Sequence, residues 1–105
     1  MFYIYILFSE SSRIYYVGYT NDVERRLAEH NDDAYHKFTS KHRPWVLKRF
    51  FPVSDIRGEA VKVERYIKKQ KSRRFIEQLV VSNDDEIAQL VTLWGNHFYI
   101  CKQNH

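Results

Sequence analysis

At 105 residues, with 44% hydrophobic and 29% charged side chains, the chain has the composition of one globular domain, which excludes a second core and a wholly disordered chain. A single cysteine, Cys101, excludes an internal disulfide, and the apolar run at 3–8 is too short to span a bilayer and has no basic start like a signal peptide, so the expectation is a soluble, cytoplasmic protein with no membrane partner. The net charge of +4, with the basic residues dense between Lys37 and Arg74, suits a polyanion or a plain solvated face.

The first element, Phe2 to Phe8, is wholly apolar or aromatic and predicts a strand buried on both faces. Residues 9–12 are turn material, and Arg13 to Tyr19 predicts a second strand, antiparallel to the first. With residues 9–12 as the loop, Phe8 faces Arg13, and the register places Tyr5 directly opposite Tyr16 on one face of the sheet. Thr20 or Asn21 is suited to cap the next helix, which runs to about His30 with Asp22 and Glu24 in its first turn. Residues 31–44 form a long polar stretch of the kind that often carries function. Trp45 to Phe51 predicts a third strand.

Asp55 opens the longest predicted helix, Ile56 to Gln70, followed by one at Arg73 to Val81. Asn83 is suited to cap a last helix, Asp84 to Trp94, with Gly95 as its terminator. Residues 96–105 fit a loose tail or a short strand from His97 to Cys101. Leu90, Leu93 and Trp94 could pack on their own core or on a partner protein.

Spacing alone singles out three residues. Val23, Arg26 and His30 share one helical face, so Arg26 and His30 lie along the edge of a buried stripe, either as a snorkelling arginine and a satisfied histidine or as site residues. Glu64 sits at a seam between apolar Ala60, Val61 and Ile67 and basic Lys68 and Lys71, where an i,i+4 ion pair with Lys68 is the plain alternative to a functional role.

Tyr3–Ile4–Tyr5, followed by the segment 16–30 (YVGYTNDVERRLAEH) and the segment 58–69 (GEAVKVERYIKK), resembles the GIY-YIG nucleases over about residues 2–80. The chain is most similar to the short stand-alone bacterial members and to the N-terminal nuclease domain of the UvrC excision-repair subunit. The resemblance implies an α+β fold with a small three-stranded antiparallel sheet flanked by helices. It assigns residues 1–82 to the nuclease domain and 83–105 to a C-terminal helix and tail packed on it. It implies an endonuclease that hydrolyses phosphodiester bonds in DNA with one divalent ion, Mg²⁺ or Mn²⁺, and a possible protein partner that supplies target choice. The alternative is an inactive nucleic-acid-binding module or a subunit of a DNA repair complex. Tyr5 and Tyr16 match the two signature tyrosines and Arg26 the arginine next to the scissile phosphate. His30 falls where relatives carry His or Tyr, and Glu64 matches the metal-binding glutamate. Gly18 matches the glycine ending the second strand, where a missing side chain would let a phosphate approach the backbone. Tyr3 replaces the first signature glycine, and the asparagine that follows the glutamate helix in other members has no match here.

These residue types suit the chemistry. One carboxylate can anchor a hydrated Mg²⁺, and a guanidinium offers a planar fork of charge to the transition state at phosphorus. A phenol needs its pKa lowered from about 10 to serve as a base, and the expectation is that nearby cations do this for Tyr5, with Tyr16 orienting the water and His30 relaying the proton. Lys37, Lys41, Arg43, Lys68 and Lys71 are the expected backbone contacts.

Overall fold

The computed structural model describes residues 1–32, 39 and 41–103, with side chains to residue 94. Its elements are β1 (Phe2–Ser9), β2 (Ile14–Thr20), α1 (Val23–His30), β3 (Trp45–Ser54), α2 (Arg57–Lys69), α3 (Arg73–Val81) and α4 (Asp84–Gln103). The three strands form one antiparallel sheet in the order β2-β1-β3, so the fold is α+β as expected. The apolar β1 takes the centre because a strand buried on both faces needs a neighbour on each side and a layer above and below.

Alternation along β1 divides the core. Ile4 and Ile6 point to one face, where Val63 and Ile67 of α2, Leu79 of α3, and Ile87 and Trp94 of α4 cover them. Tyr5 and Leu7 point to the other, against Trp45, Val23 and Leu27. Trp94 packs inside this core, against Tyr66 at 5.1 Å between ring centres, whereas Leu93 is exposed. The helix α4 does not stop at Gly95, and the expected tail or strand at 96–105 is helical to Gln103. A glycine inside a helix costs roughly 1 kcal/mol, too little to end one when no proline follows.

Three other expectations are corrected. Asp22 caps α1, its carboxylate accepting from the Arg25 N–H at 3.1 Å, while Thr20 Oγ1 braces the Asp22 backbone. Ile56 occupies the N-cap of α2 without a side-chain cap, in place of an Asp55 start. The strand β3 runs past Phe51 through Pro52, which is tolerated because β3 is an edge strand.

The hairpin register also differs. Ser9 stays in β1, paired with Ile14, so the loop is residues 10–13. Ser9 is buried and held, its hydroxyl donating to the His42 carbonyl at 2.6 Å and accepting from Ser12 N–H at 3.2 Å. Arg13 closes the turn with φ of 58°. The pairing therefore moves by two residues: Tyr5 lies opposite Gly18, and Tyr16 opposite Leu7. A shift of two keeps every side chain on its face, so Tyr5 and Tyr16 remain neighbours on the diagonal, with ring centres 6.3 Å apart.

The new pairing explains Gly18. A Cβ there would lie 2.5 Å from Cζ of Tyr5 and against its hydroxyl. The missing side chain makes room for the Tyr5 phenol. Gly18→Ala is therefore expected to destabilise the fold by about 1–3 kcal/mol, as overpacking does, because the Tyr5 ring is buried and cannot swing aside. Denaturant unfolding measures this, and an alanine variant as stable as the parent would remove the packing role.

Candidate active site

The cleft opens along β2, between α1 and α2. Its volume is about 510 Å³, and its lining includes Tyr5, Tyr16, Gly18, Arg26 and Glu64. They come from four elements: Tyr5 from β1, Tyr16 and Gly18 from β2, Arg26 from α1 and Glu64 from α2. The tyrosines stand on one face of β1 and β2, and α1 brings Arg26 and His30 across that face through the packing of Val23 and Leu27. The long helix α2 buries Ala60, Val63 and Ile67, which leaves Glu64 and Lys68 at the rim on the next turn of its surface.

Tyr5 is the most constrained of these groups, at 2% exposure. Arg26 Nε donates to its oxygen at 3.3 Å, and a 2.8 Å hydrogen bond joins the same oxygen to His30 Nε2. A buried hydroxyl has to donate as well as accept, and with Arg26 supplying a proton to the oxygen, the Tyr5 O–H is directed at His30 Nε2. His30 is fully buried beneath the pair, its ring centre 5.7 Å from that of Tyr5 and 4.7 Å from that of Tyr16.

Burial pushes the Tyr5 phenol well above its ordinary pKa, the neighbouring Tyr16 and Glu64 add to the rise, and the hydrogen bond and charge of Arg26 only partly offset it. The protein's own cations do not bring the expected lowering: desolvation outweighs them. Burial also works against the Arg26 charge, but hydrogen bonds to Tyr5 and Glu29 outweigh it and hold the guanidinium pKa above its usual value.

Glu64 is mostly covered and pairs with Lys68, whose Nζ lies 3.0 Å from its Oε1 and 5.4 Å from the centre of the Tyr16 ring. The i,i+4 ion pair and a place at the cleft are thus both present. Of the expected backbone contacts, Lys68 lines the cleft. Lys41 and Arg43 are exposed and line a separate shallow hollow beside Asn31 and Pro44, and Lys71 is exposed just beyond α2. Lys37 lies outside the described residues. The spacing arguments passed over Arg25, Arg57, Tyr19 and Asn21, which also line the cleft, and Glu29, which holds Arg26 Nη1 at 3.2 Å. The four-residue step from Asn21 to Arg25 and the three-residue step from Arg26 to Glu29 were the local signals available for them.

The GIY-YIG catalytic domain family matches residues 1–77. The UPF0213 protein lmo0166 of Listeria monocytogenes is 40% identical over 76 residues, covering 72% of this chain and 82% of that one. The UPF0213 protein VNG_2274C of Halobacterium salinarum is 40% identical over 79 residues, covering 75% and 99%. Among solved structures, the solution structure of the UPF0213 protein BH0048 from Bacillus halodurans is 36% identical, covers 76% of this chain and 83% of that one, and superposes with a TM-score of 0.46. With its sheet order, its paired tyrosines and a match across most of its length, the chain belongs to the GIY-YIG nuclease family, in its short bacterial form.

Proposed function

We propose that the protein is a metal-dependent endonuclease that hydrolyses phosphodiester bonds in DNA. The observation that carries this reading is the gathering of Tyr5, Tyr16, Arg26 and Glu64 on one open cleft, where, among the described residues that line it, Glu64 is the sole carboxylate beside the cations Arg25, Arg26, Arg57 and Lys68. A surface built only to grip phosphates gains nothing from a carboxylate in their midst.

Glu64 is the residue that would hold a divalent ion. Among the described residues no cluster of three His, Cys, Asp or Glu exists, so a thiolate or multi-carboxylate site does not fit. One hard oxygen donor does fit a Mg²⁺ or Mn²⁺ that keeps most of its water. The Lys68 ammonium already rests on that carboxylate as a cation and has to give way. When bound, such an ion supplies Lewis-acid stabilisation of the leaving oxygen.

The chain's own groups do the rest. Arg26 presents its fork to the phosphate undergoing attack, held by Glu29 and by Tyr5. A phenol raised in pKa does not wait as phenolate. Tyr5 instead takes a proton from the attacking water as its own hydroxyl proton passes to His30 Nε2, so that no free phenolate accumulates. Tyr16, partly exposed beside it, orients the water or the phosphate. A second reading, a nucleic-acid-binding module without activity, is favoured by the Glu64–Lys68 pair, which neutralises the carboxylate in place.

A metal-dependent cleavage assay on duplex, flap, junction and single-stranded substrates separates the two. Glu64→Gln is expected to abolish cleavage and keep binding; a variant cutting at the parent rate would end the metal role, and a parent protein that binds but never cuts would establish the second reading. Tyr5→Phe is expected to slow single-turnover cleavage by about 10²–10⁴-fold, the usual worth of a positioned proton acceptor. The raised Tyr5 pKa also predicts alkaline behaviour. The folded state favours the protonated phenol, so its contribution to stability is complete below about pH 10, the ordinary phenol value, and is lost as pH climbs towards the folded pKa. Tyr5→Phe should flatten the alkaline fall of the denaturant midpoint, and a fall equally steep in both proteins would show that Tyr5 titrates normally.

A further inference from the structure

Two arginines of the cleft are held in place without being neutralised. Arg57 Nη2 donates to Tyr19 Oη at 2.7 Å, and its guanidinium carbon lies 5.5 Å from the centre of the Tyr19 ring. Arg25 Nη2 donates to Asn21 Oδ1 at 3.1 Å. Both acceptors are uncharged, and among the described residues no carboxylate pairs with either arginine. The other two cations of the cleft are already engaged, Arg26 with Glu29 and Lys68 with Glu64.

The contrast matters for binding. A long side chain loses rotamer freedom when it grips a ligand, and that loss offsets much of what the contact contributes. An arginine stacked on a ring and hydrogen-bonded at one nitrogen has lost part of that freedom beforehand, yet keeps its full charge and its remaining N–H donors. Such a group is preorganised for an oxyanion. Arg25 stands on α1 beside Arg26, and Arg57 opens α2, so guanidiniums from two different helices face the cleft in which the scissile phosphate would lie.

We propose that Arg57, steadied by Tyr19, and Arg25, steadied by Asn21, hold the backbone phosphates adjacent to the one that Arg26 contacts; this rests on the nuclease reading above. Tyr19 and Asn21 are positioning residues that act through the arginines. The cleft thereby grips a run of consecutive phosphates, the signature of a nucleic-acid chain, in preference to a single phosphate group.

The test is binding of the full chain to a short fluorescein-labelled DNA duplex and to the matching single strand. Anisotropy is followed over a range of salt concentrations with a chelator present, so that no cleavage intervenes. Arg57→Gln and Arg25→Gln are each expected to weaken binding about tenfold at low salt and to lower the slope of log affinity against log salt by about one, the signature of one lost phosphate contact. Tyr19→Phe is expected to weaken binding by roughly threefold with the slope unchanged, and to add nothing in the Arg57→Gln background. Lys48→Gln, on the far edge strand β3, is the control for loss of one charge and is expected to bind as the parent does. If the arginine variants bind with the parent's affinity and slope, or no worse than Lys48→Gln, the clamp is overturned while the nuclease reading stands. A Tyr19→Phe effect that adds to that of Arg57→Gln overturns the positioning role. Failure of the parent chain to bind either nucleic acid would sink the nuclease reading itself, and the clamp with it.

Discussion

The Tyr5 phenol is the group around which this site is arranged. It is buried apart from the part that lines the cleft, it points across its own sheet at the opposite strand, and its oxygen is held by protein partners. Gly18 supplies the room, His30 Nε2 one partner and Arg26 Nε the other, and these come from β2 and from both turns of α1. Any larger residue at 18, or any rotation of α1, leaves a buried polar atom unmatched. The position of the first helix on the sheet is therefore set by polar satisfaction as much as by the packing of Val23 and Leu27.

The same arrangement sets the electrostatics. Burial raises the cost of a phenolate at Tyr5, so the hydroxyl keeps its proton and shares a hydrogen bond with His30 Nε2. Arg26 is steadied from two sides, by Tyr5 and by Glu29, and so presents one orientation of its fork to the cleft. On the opposite wall, Glu64 is kept mostly covered by the turn of α2 that buries Val63 and Ile67, with Lys68 lying across it and over Tyr16. The ammonium of Lys68 rests on that carboxylate, at 3.0 Å.

The other face of the sheet explains why so small a domain can hold these groups in place. Ile4, Ile6, Val17 and Phe51 are covered by α2, α3 and the first half of α4, with Trp94 closing the layer against Tyr66. The strand that carries Tyr5 is thus the strand most firmly held, because its alternate residues form the main core. The geometry of the cleft and the packing of the core share one backbone, one residue out of step.

Much of this was legible in the residues alone. The apolar run of β1 required a strand buried on both faces, the helix at Arg73 to Val81 and the cap at Asn83 were read from the residues, and strand alternation placed both tyrosines on one face whichever even register the hairpin took. These are local rules, and they act through neighbours in sequence. What required the tertiary structure were the quantities set by distant neighbours. The hairpin slipped because buried Ser9 is fastened to the His42 carbonyl, thirty-three residues away. Gly18 acquired its purpose from a ring on another strand, and the continuation of α4 past Gly95 was a small cost that no local signal could weigh. The direction of the Tyr5 pKa depended on how much water the finished fold excludes, which charge counting along the chain cannot reveal, since desolvation belongs to the packed molecule and to no segment of it.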